Sequence, residues 1–290
     1  MTSSMAGPGR RLLDAGWRVL LYGALLVGAV LLLSQGANFG LHALHVHFDR
    51  PAGASPVEEL LLSQVVILSG AIVAVAAMRR LDRDPSVPLL PRRWAGGSHF
   101  AQGLVWGFGA FAATIAGIAA LGGYRIVAVA LSGPSLFYYG ALWGVAAVLN
   151  GAAENLALLG YPLQRLGRAA GVVPAIALMA GLFALSHLGN AGESPLGLIS
   201  VFLIAASLGL AIFLTGDLWL SIGIHTGGIF AEDFVFSVPD SGVVYTGRLL
   251  NSAFVGPAWL TGGDAGPEAS AVALPVFVVF LFLLWRTYRR

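Results

Sequence analysis

The sequence predicts an all-α polytopic membrane protein with about eight transmembrane helices and both termini cytoplasmic. Three observations predict it. Of 290 residues, 57% are hydrophobic and only 10% charged, whereas a soluble domain carries ~25% charged residues. Apolar runs close to the ~20 residues of a bilayer crossing recur along the chain. All 16 basic residues are arginines, and they gather at alternate connections between those runs.

The elements follow in order. Residues 1–16 read as a polar cytoplasmic tail with Arg10 and Arg11, and residues 17–290 as a single transmembrane domain. Val19 to Leu33 is the first apolar run. Basic residues precede it, as in a signal peptide, but no small-x-small cleavage site follows, so it reads as an uncleaved first span. Residues 36–56 form a loop with His42, His45 and His47. A solvated loop is the preferred reading there, and metal ligation is the alternative. Val57 to Met78 is the second span, with Glu58 and Glu59 at its start, where negative charge suits a helix N-terminus. Residues 79–99 are a polar connector, and Phe100 to Gly122 is the third span. Its Gly and Ala content is that of a helix approached closely by a neighbour. Phe137–Gly160, Val172–Leu188, Leu196–Thr215 and Leu218–Phe236 follow as spans four to seven. A Gly-, Pro- and Asp-containing loop at 237–270 leads to Ala271–Trp285, the eighth span.

This arrangement places arginines 10, 11, 18, 79, 80, 83, 92, 93, 165, 168, 286, 289 and 290 on one side, and only Arg50, Arg125 and Arg248 on the other. The positive-inside rule makes the rich side cytoplasmic. The pI near 9.2 is therefore explained by topology and not by nucleic-acid binding. The absence of cysteine excludes disulfides, thiol catalysis, thiolate metal sites and a lipidated terminal cysteine.

Three ionisable side chains fall inside consecutive apolar segments. Glu154 lies in NGAAENLALLGY, His187 in GLFALSHLGN and His225 in LWLSIGIHTGGIF. Such groups are costly in a bilayer unless they face a partner or a wet cavity. Counting ~1.5 Å per residue from the cytoplasmic ends puts them roughly 16, 20 and 12 Å deep. One shared layer, in a cavity reached from the cytoplasm, is the expectation. Glutamate with two histidines suits water activation by a general base with support for an oxyanion. It also suits a metal site with an open coordination position, although HExxH spacing is absent. A proton-coupled carrier is a third use of such groups, but no internal repeat supports it.

The segments resemble the CPBP family of intramembrane proteases, which includes the CAAX prenyl proteases and the bacterial Abi-type immunity proteins. AENLALLGYPLQRL corresponds to its Glu-Glu…Phe-Arg-Gly motif, FALSHLGN to Phe-x-x-x-His and GIHTGGIF to His-x-x-x-Asn, with TGGDAGPEAS as the later Gly-rich loop. The resemblance covers roughly residues 137–270, with the core at about 137–236. It implies an intramembrane endopeptidase hydrolysing a peptide bond in or near the membrane. Glu154 is then the water-activating base, His187 its partner and His225 an oxyanion stabiliser. No cofactor is required on this reading. The alternative is a divalent metal such as zinc held by Glu154, His187 and His225. The implied partners are the lipid bilayer and a peptide or membrane-protein substrate, and the implied location is the inner (plasma) membrane of a bacterium as a multi-pass protein.

Three positions depart from the pattern. Asn155 replaces the second Glu, Leu159 the Arg and Ile229 the Asn. Positions 155 and 159 lie one turn apart, so their joint change reads as the loss of a structural ion pair. Ile229 removes an amide from the cavity face, and losing an oxyanion donor costs ~10²–10³ in rate. Asn190 and Glu232, and Asn155 itself, are the auxiliary candidates. A catalytically silent family member acting as an immunity or scaffold protein is the alternative function.

Overall fold

The computed structural model describes residues 7–82 and 96–289. Arg83, Arg92 and Arg93 of the polar connector, residues 1–6 of the expected tail and Arg290 lie outside the described residues. The fold is a helical membrane bundle, 74% helical. It runs α1 (Pro8–Ala43), α2 (Val57–Asp82), α3 (Gly96–Ala120), α4 (Gly133–Glu154), α5 (Tyr161–Ala170), α6 (Val172–Ser186), α7 (Pro195–Thr215), α8 (Trp219–Ile229), α9 (Ala258–Thr261) and α10 (Ala273–Tyr288). Among the described residues, five helices are long and apolar enough to cross a membrane, and α6 and α10 are shorter apolar helices.

Three details differ from the expected string of spans. Helix α1 runs from Pro8 to Ala43, so it takes in part of the expected 1–16 tail and, with His42, part of the expected 36–56 loop. A two-stranded antiparallel ribbon pairs β1 (Tyr124–Val129) with β2 (Leu250–Phe254), running from Tyr124 opposite Phe254 to Val129 opposite Leu250. The chain is therefore not purely α. The β-branched run RIVAV and the partner LNSAF sit in connections, where strand propensity meets no helical competition. Two expected spans also do not end as α-helix. Each passes into a π-helical turn, Asn155–Gly160 after α4 and Phe230–Val235 after α8. Such turns widen the backbone spiral and recur at functional sites.

Close packing of α3 on α8 follows from glycines spaced four apart on both helices. A methyl group added at Gly103 or Gly107 would collide with the carbonyls of Leu220 and Ile224, and one added at Gly223 or Gly227 with those of Phe100 and Leu104. The two small-xxx-small stripes therefore interlock backbone to backbone. His225 lies between Gly223 and Gly227, so its helix is held at a set depth.

The arginine-rich end is tied by polar bonds. Arg18 of α1 pairs with Asp14 and with Asp82 of α2, Tyr161 of α5 donates to Asp82 at 2.7 Å, and Arg165 reaches Asp14 at 2.8 Å. His99 meets Asp217 at 2.7 Å, and Tyr288 donates to Gln102 at 2.5 Å. The opposite end carries the ribbon and the 237–270 loop. There Ser55 bridges to Tyr245, and Gly242 N–H donates to the Ala265 carbonyl at 2.8 Å.

Candidate active site

Glu154 is the last residue of α4, immediately before the π-helical turn. A π turn displaces the regular carbonyl pairing. The Tyr22 hydroxyl of α1 donates to the Ala157 carbonyl at 2.9 Å and lies 3.3 Å from that of Leu156. Its ring stacks on Tyr161 at 5.3 Å. The turn behind Glu154 is thus fastened from the side by a buried tyrosine.

Glu154 and His225 meet directly. His225 Nε2 lies 3.8 Å from Glu154 Oε2, and Asn150 Nδ2 lies 3.5 Å from Glu154 Oε1. The tautomer of His225 follows from Asn155. The Asn155 Oδ1 accepts from Ser221 Oγ, which leaves its NH2 group to donate to the Gly151 carbonyl at 2.7 Å and to His225 Nδ1 at 3.1 Å. An amide nitrogen only donates, so Nδ1 is the accepting nitrogen. The ring proton therefore sits on Nε2, facing the Glu154 carboxylate.

His187 caps the end of α6. Its Nδ1 donates to the Phe183 carbonyl at 2.9 Å, leaving Nε2 as the basic nitrogen. The Phe183 ring stacks on His187 at 5.2 Å and packs against His225 at 6.4 Å, so one aromatic ring contacts both imidazoles.

Glu154, His187 and His225 all line one cavity of about 300 Å³, together with Asn150, Asn190, Ile229, Glu232, Asp240 and Glu268. The structure thus brings the expected residues together. Part of the lining is Asp240, Ser241, Val243, Tyr245 and Glu268 of the 237–270 loop, at the end opposite the arginines. An apolar cleft lined by Leu26, Val30 and Ile67 also reaches Glu154 and His187 from between α1 and α6.

The auxiliary residues also find places. Asn190 and Glu232 line the cavity, Glu232 at only 1% exposure. Asn155 is fully buried and donates to His225, so position 155 touches the site directly. Leu159 is buried in the apolar core beside it. Ile229 lies on the cavity wall where the pattern has an amide. Sequence reasoning missed Asn150, whose signal was its place one turn before Glu154, and Asp240 and Glu268, which come together only through the loop.

The geometry also bears on a metal. The ligand atoms of Glu154, His187 and His225 do not all lie within 4.8 Å of one another, whereas those of Glu232, Asp240 and Glu268 do, the one such group among the described residues. His42, His45 and His47 are exposed and form no such group. Outside the spans, burial pushes the Glu268 carboxyl up to about 8, with the neighbouring Asp240 charge adding to the rise. Burial raises Asp240 as well, against the pull of Ser241 and His187.

No curated protein and no solved structure matches the chain. The model of the Rce1-like family, type II CAAX prenyl endopeptidase Rce1-like, matches residues 135–228. That range contains Glu154, Asn155, His187 and His225 and ends one residue before Ile229. Across residues 135–228 the chain is therefore similar to the Rce1-like family, which is consistent with a CPBP-family intramembrane protease.

Proposed function

We propose that this chain is an intramembrane endopeptidase in which Glu154 activates water and His187 and His225 support the reaction. At the family level the match speaks for a CAAX-type endopeptidase acting at a lipid bilayer on a peptide substrate. The observation that carries the assignment of residues is the approach of His225 Nε2 to Glu154 Oε2 at 3.8 Å in a cavity that His187 also lines. Water held by the Glu154 carboxylate loses a proton to it and attacks the peptide carbonyl. The tetrahedral oxyanion takes a hydrogen bond from the His225 Nε2–H. The Glu154 carboxyl then gives the proton to the leaving amine, so protons balance over the cycle. His187, with its basic Nε2, accepts from the water and orients it. Asn155 is a positioning residue that keeps the His225 proton on Nε2. A zinc ion does not fit Glu154, His187 and His225 as they stand, because the His225 Nε2 carries the ring proton and the three ligand atoms are spread beyond 4.8 Å, so no step is routed through one.

The proposal includes the topology, with about eight crossings, both termini cytoplasmic and the protein in a bacterial inner membrane. It is supported by the arginine asymmetry and by the meeting of Asp14, Asp82, Arg165 and the α10 residue Tyr288 with partners at one end. The core at about 137–236 would form the catalytic unit of a single transmembrane domain.

The test is proteolysis by the purified chain in lipid, followed on lipidated and unmodified peptides, with Glu154→Gln as the control. General-base removal is expected to lower kcat by ~10²–10⁴ with folding retained. Unchanged cleavage in that variant would remove Glu154 from the mechanism. The binding-protein reading has its own support in Ile229, which leaves the amide position of the cavity wall apolar. It predicts that the wild-type chain cleaves neither kind of peptide.

A further inference from the structure

The cavity ends on a second cluster that the proposed hydrolysis does not use. Glu232 comes from the π-helical turn after α8, Asp240 from the following loop and Glu268 from a short turn before α10. Each offers one carboxylate oxygen, and the three lie within 4.8 Å of one another. Glu232 and Glu268 are 1% and 3% exposed, and no donor reaches Glu232 Oε1 or Glu268 Oε2. Glu268 Oε1 is occupied by the Ser241 N–H at 2.9 Å, so Oε2 is the oxygen left over. Arg248 Nη1 donates to the Ser237 carbonyl at 2.8 Å, and among the described residues no ion pair joins Arg248 to any of the three carboxylates.

The chain is shaped to bring these groups together. Gly266 has φ +129°, a conformation that L side chains rarely adopt, and an added Cβ would strike both Glu268 Oε2 and the Pro239 carbonyl oxygen. A side chain at 266 would thus push the Glu268 carboxylate out of place. The Pro239 carbonyl borders the same point as a further hard oxygen.

We propose that Glu232, Asp240 and Glu268 bind a hard divalent cation, calcium, magnesium or manganese, that clasps the 237–270 loop to the end of α8. Buried carboxylates without counter-charge cost several kcal/mol each, and an oxygen-only donor set without imidazole or thiolate selects the hard ions. Opposite oxygens around such an ion stand about 4–5 Å apart, given bonds of ~2.0–2.6 Å, which the observed spacing accommodates. The cation closes the loop end of the cavity and is independent of whether Glu154 hydrolyses anything.

The test is a manganese titration of the full-length chain in lipid nanodiscs, read by electron paramagnetic resonance, together with thermal unfolding before and after chelation. The expected result is one bound manganese per chain, displaced by calcium or magnesium, with a Tm that falls on chelation. Glu232→Gln and Glu268→Gln are expected to weaken binding at least tenfold. If either variant fails to fold, Asp240→Asn, at the partly exposed member, gives the same readout. A wild-type chain that binds no manganese up to millimolar concentration overturns the proposal and leaves the carboxyls sharing protons. Binding of unchanged strength in all the folded variants overturns it as well.

Discussion

At the scale of single residues, Asn155 carries more than its place in a motif suggests. It is fully buried, and all its hydrogen-bonding groups are engaged: Ser221 donates to it, and it donates to Gly151 and His225. Asn155→Leu leaves the Ser221 hydroxyl and the Gly151 carbonyl without that partner, a loss of about 1–3 kcal/mol by buried-group energetics. It also frees the His225 ring to change tautomer. The expected signature is a fall in kcat with KM little changed, beside a lower Tm, whereas a purely structural role would lower the Tm alone. Ile229 poses the reverse experiment. It lies on the cavity wall at 7% exposure, and Ile229→Asn returns an amide to a face that oxyanion chemistry uses. If hydrolysis runs as proposed, kcat is expected to rise by about tenfold or more, below the ~10²–10³ that a well-aimed donor contributes. A fall in activity would mean that the apolar wall is itself required.

At the scale of elements, the interlocked glycines of α3 and α8 set where His225 stands. Gly107→Ala would place a methyl against the Ile224 carbonyl, one residue from His225. Backbone cannot yield as a flexible side chain can, so α8 must move away. Overpacking of this kind costs about 1–3 kcal/mol. The expected outcome is a lower Tm and a loss of activity larger than the stability change explains. Gly109→Ala, on the same helix with open space around its Cβ position, is the matched control and is expected to change neither. The π-helical turns belong to this scale too. They follow Glu154 and Ile229 directly and change which faces the next residues present, which brings Glu232 into the cavity rather than to a helix end.

At the scale of the whole molecule, the arginine-rich end is fastened around Asp82. Its side chain is 2% exposed and joins α1, α2 and α5 through Arg18, Tyr161 and Arg165. Asp82→Asn is expected to destabilise the bundle by about 2 kcal/mol, less than the ~3–5 of a fully buried pair because Arg18 and Arg165 remain about one-fifth exposed to solvent. Thermal unfolding in lipid measures it. The bundle leaves two ways to Glu154, the cavity beside the 237–270 loop and the apolar cleft between α1 and α6.

What the sequence determined by itself was the helical membrane character, the order of the apolar segments and the identity of the polar residues within them. Bilayer length and the cost of intramembrane charge are local quantities, legible in any stretch of about twenty residues. The glycine stripe of α3 was legible for the same reason. Only the tertiary structure decided how these parts meet. The tautomer of His225 depends on Asn155, seventy residues earlier, and on Ser221, which sets the amide. The convergence of Glu232, Asp240 and Glu268 depends on a loop path through Gly266. The π-helical turns and the β1–β2 ribbon depend on partners supplied from elsewhere, as Tyr22 is for the first turn. Such features arise from contacts between distant segments, and nothing in local periodicity encodes them.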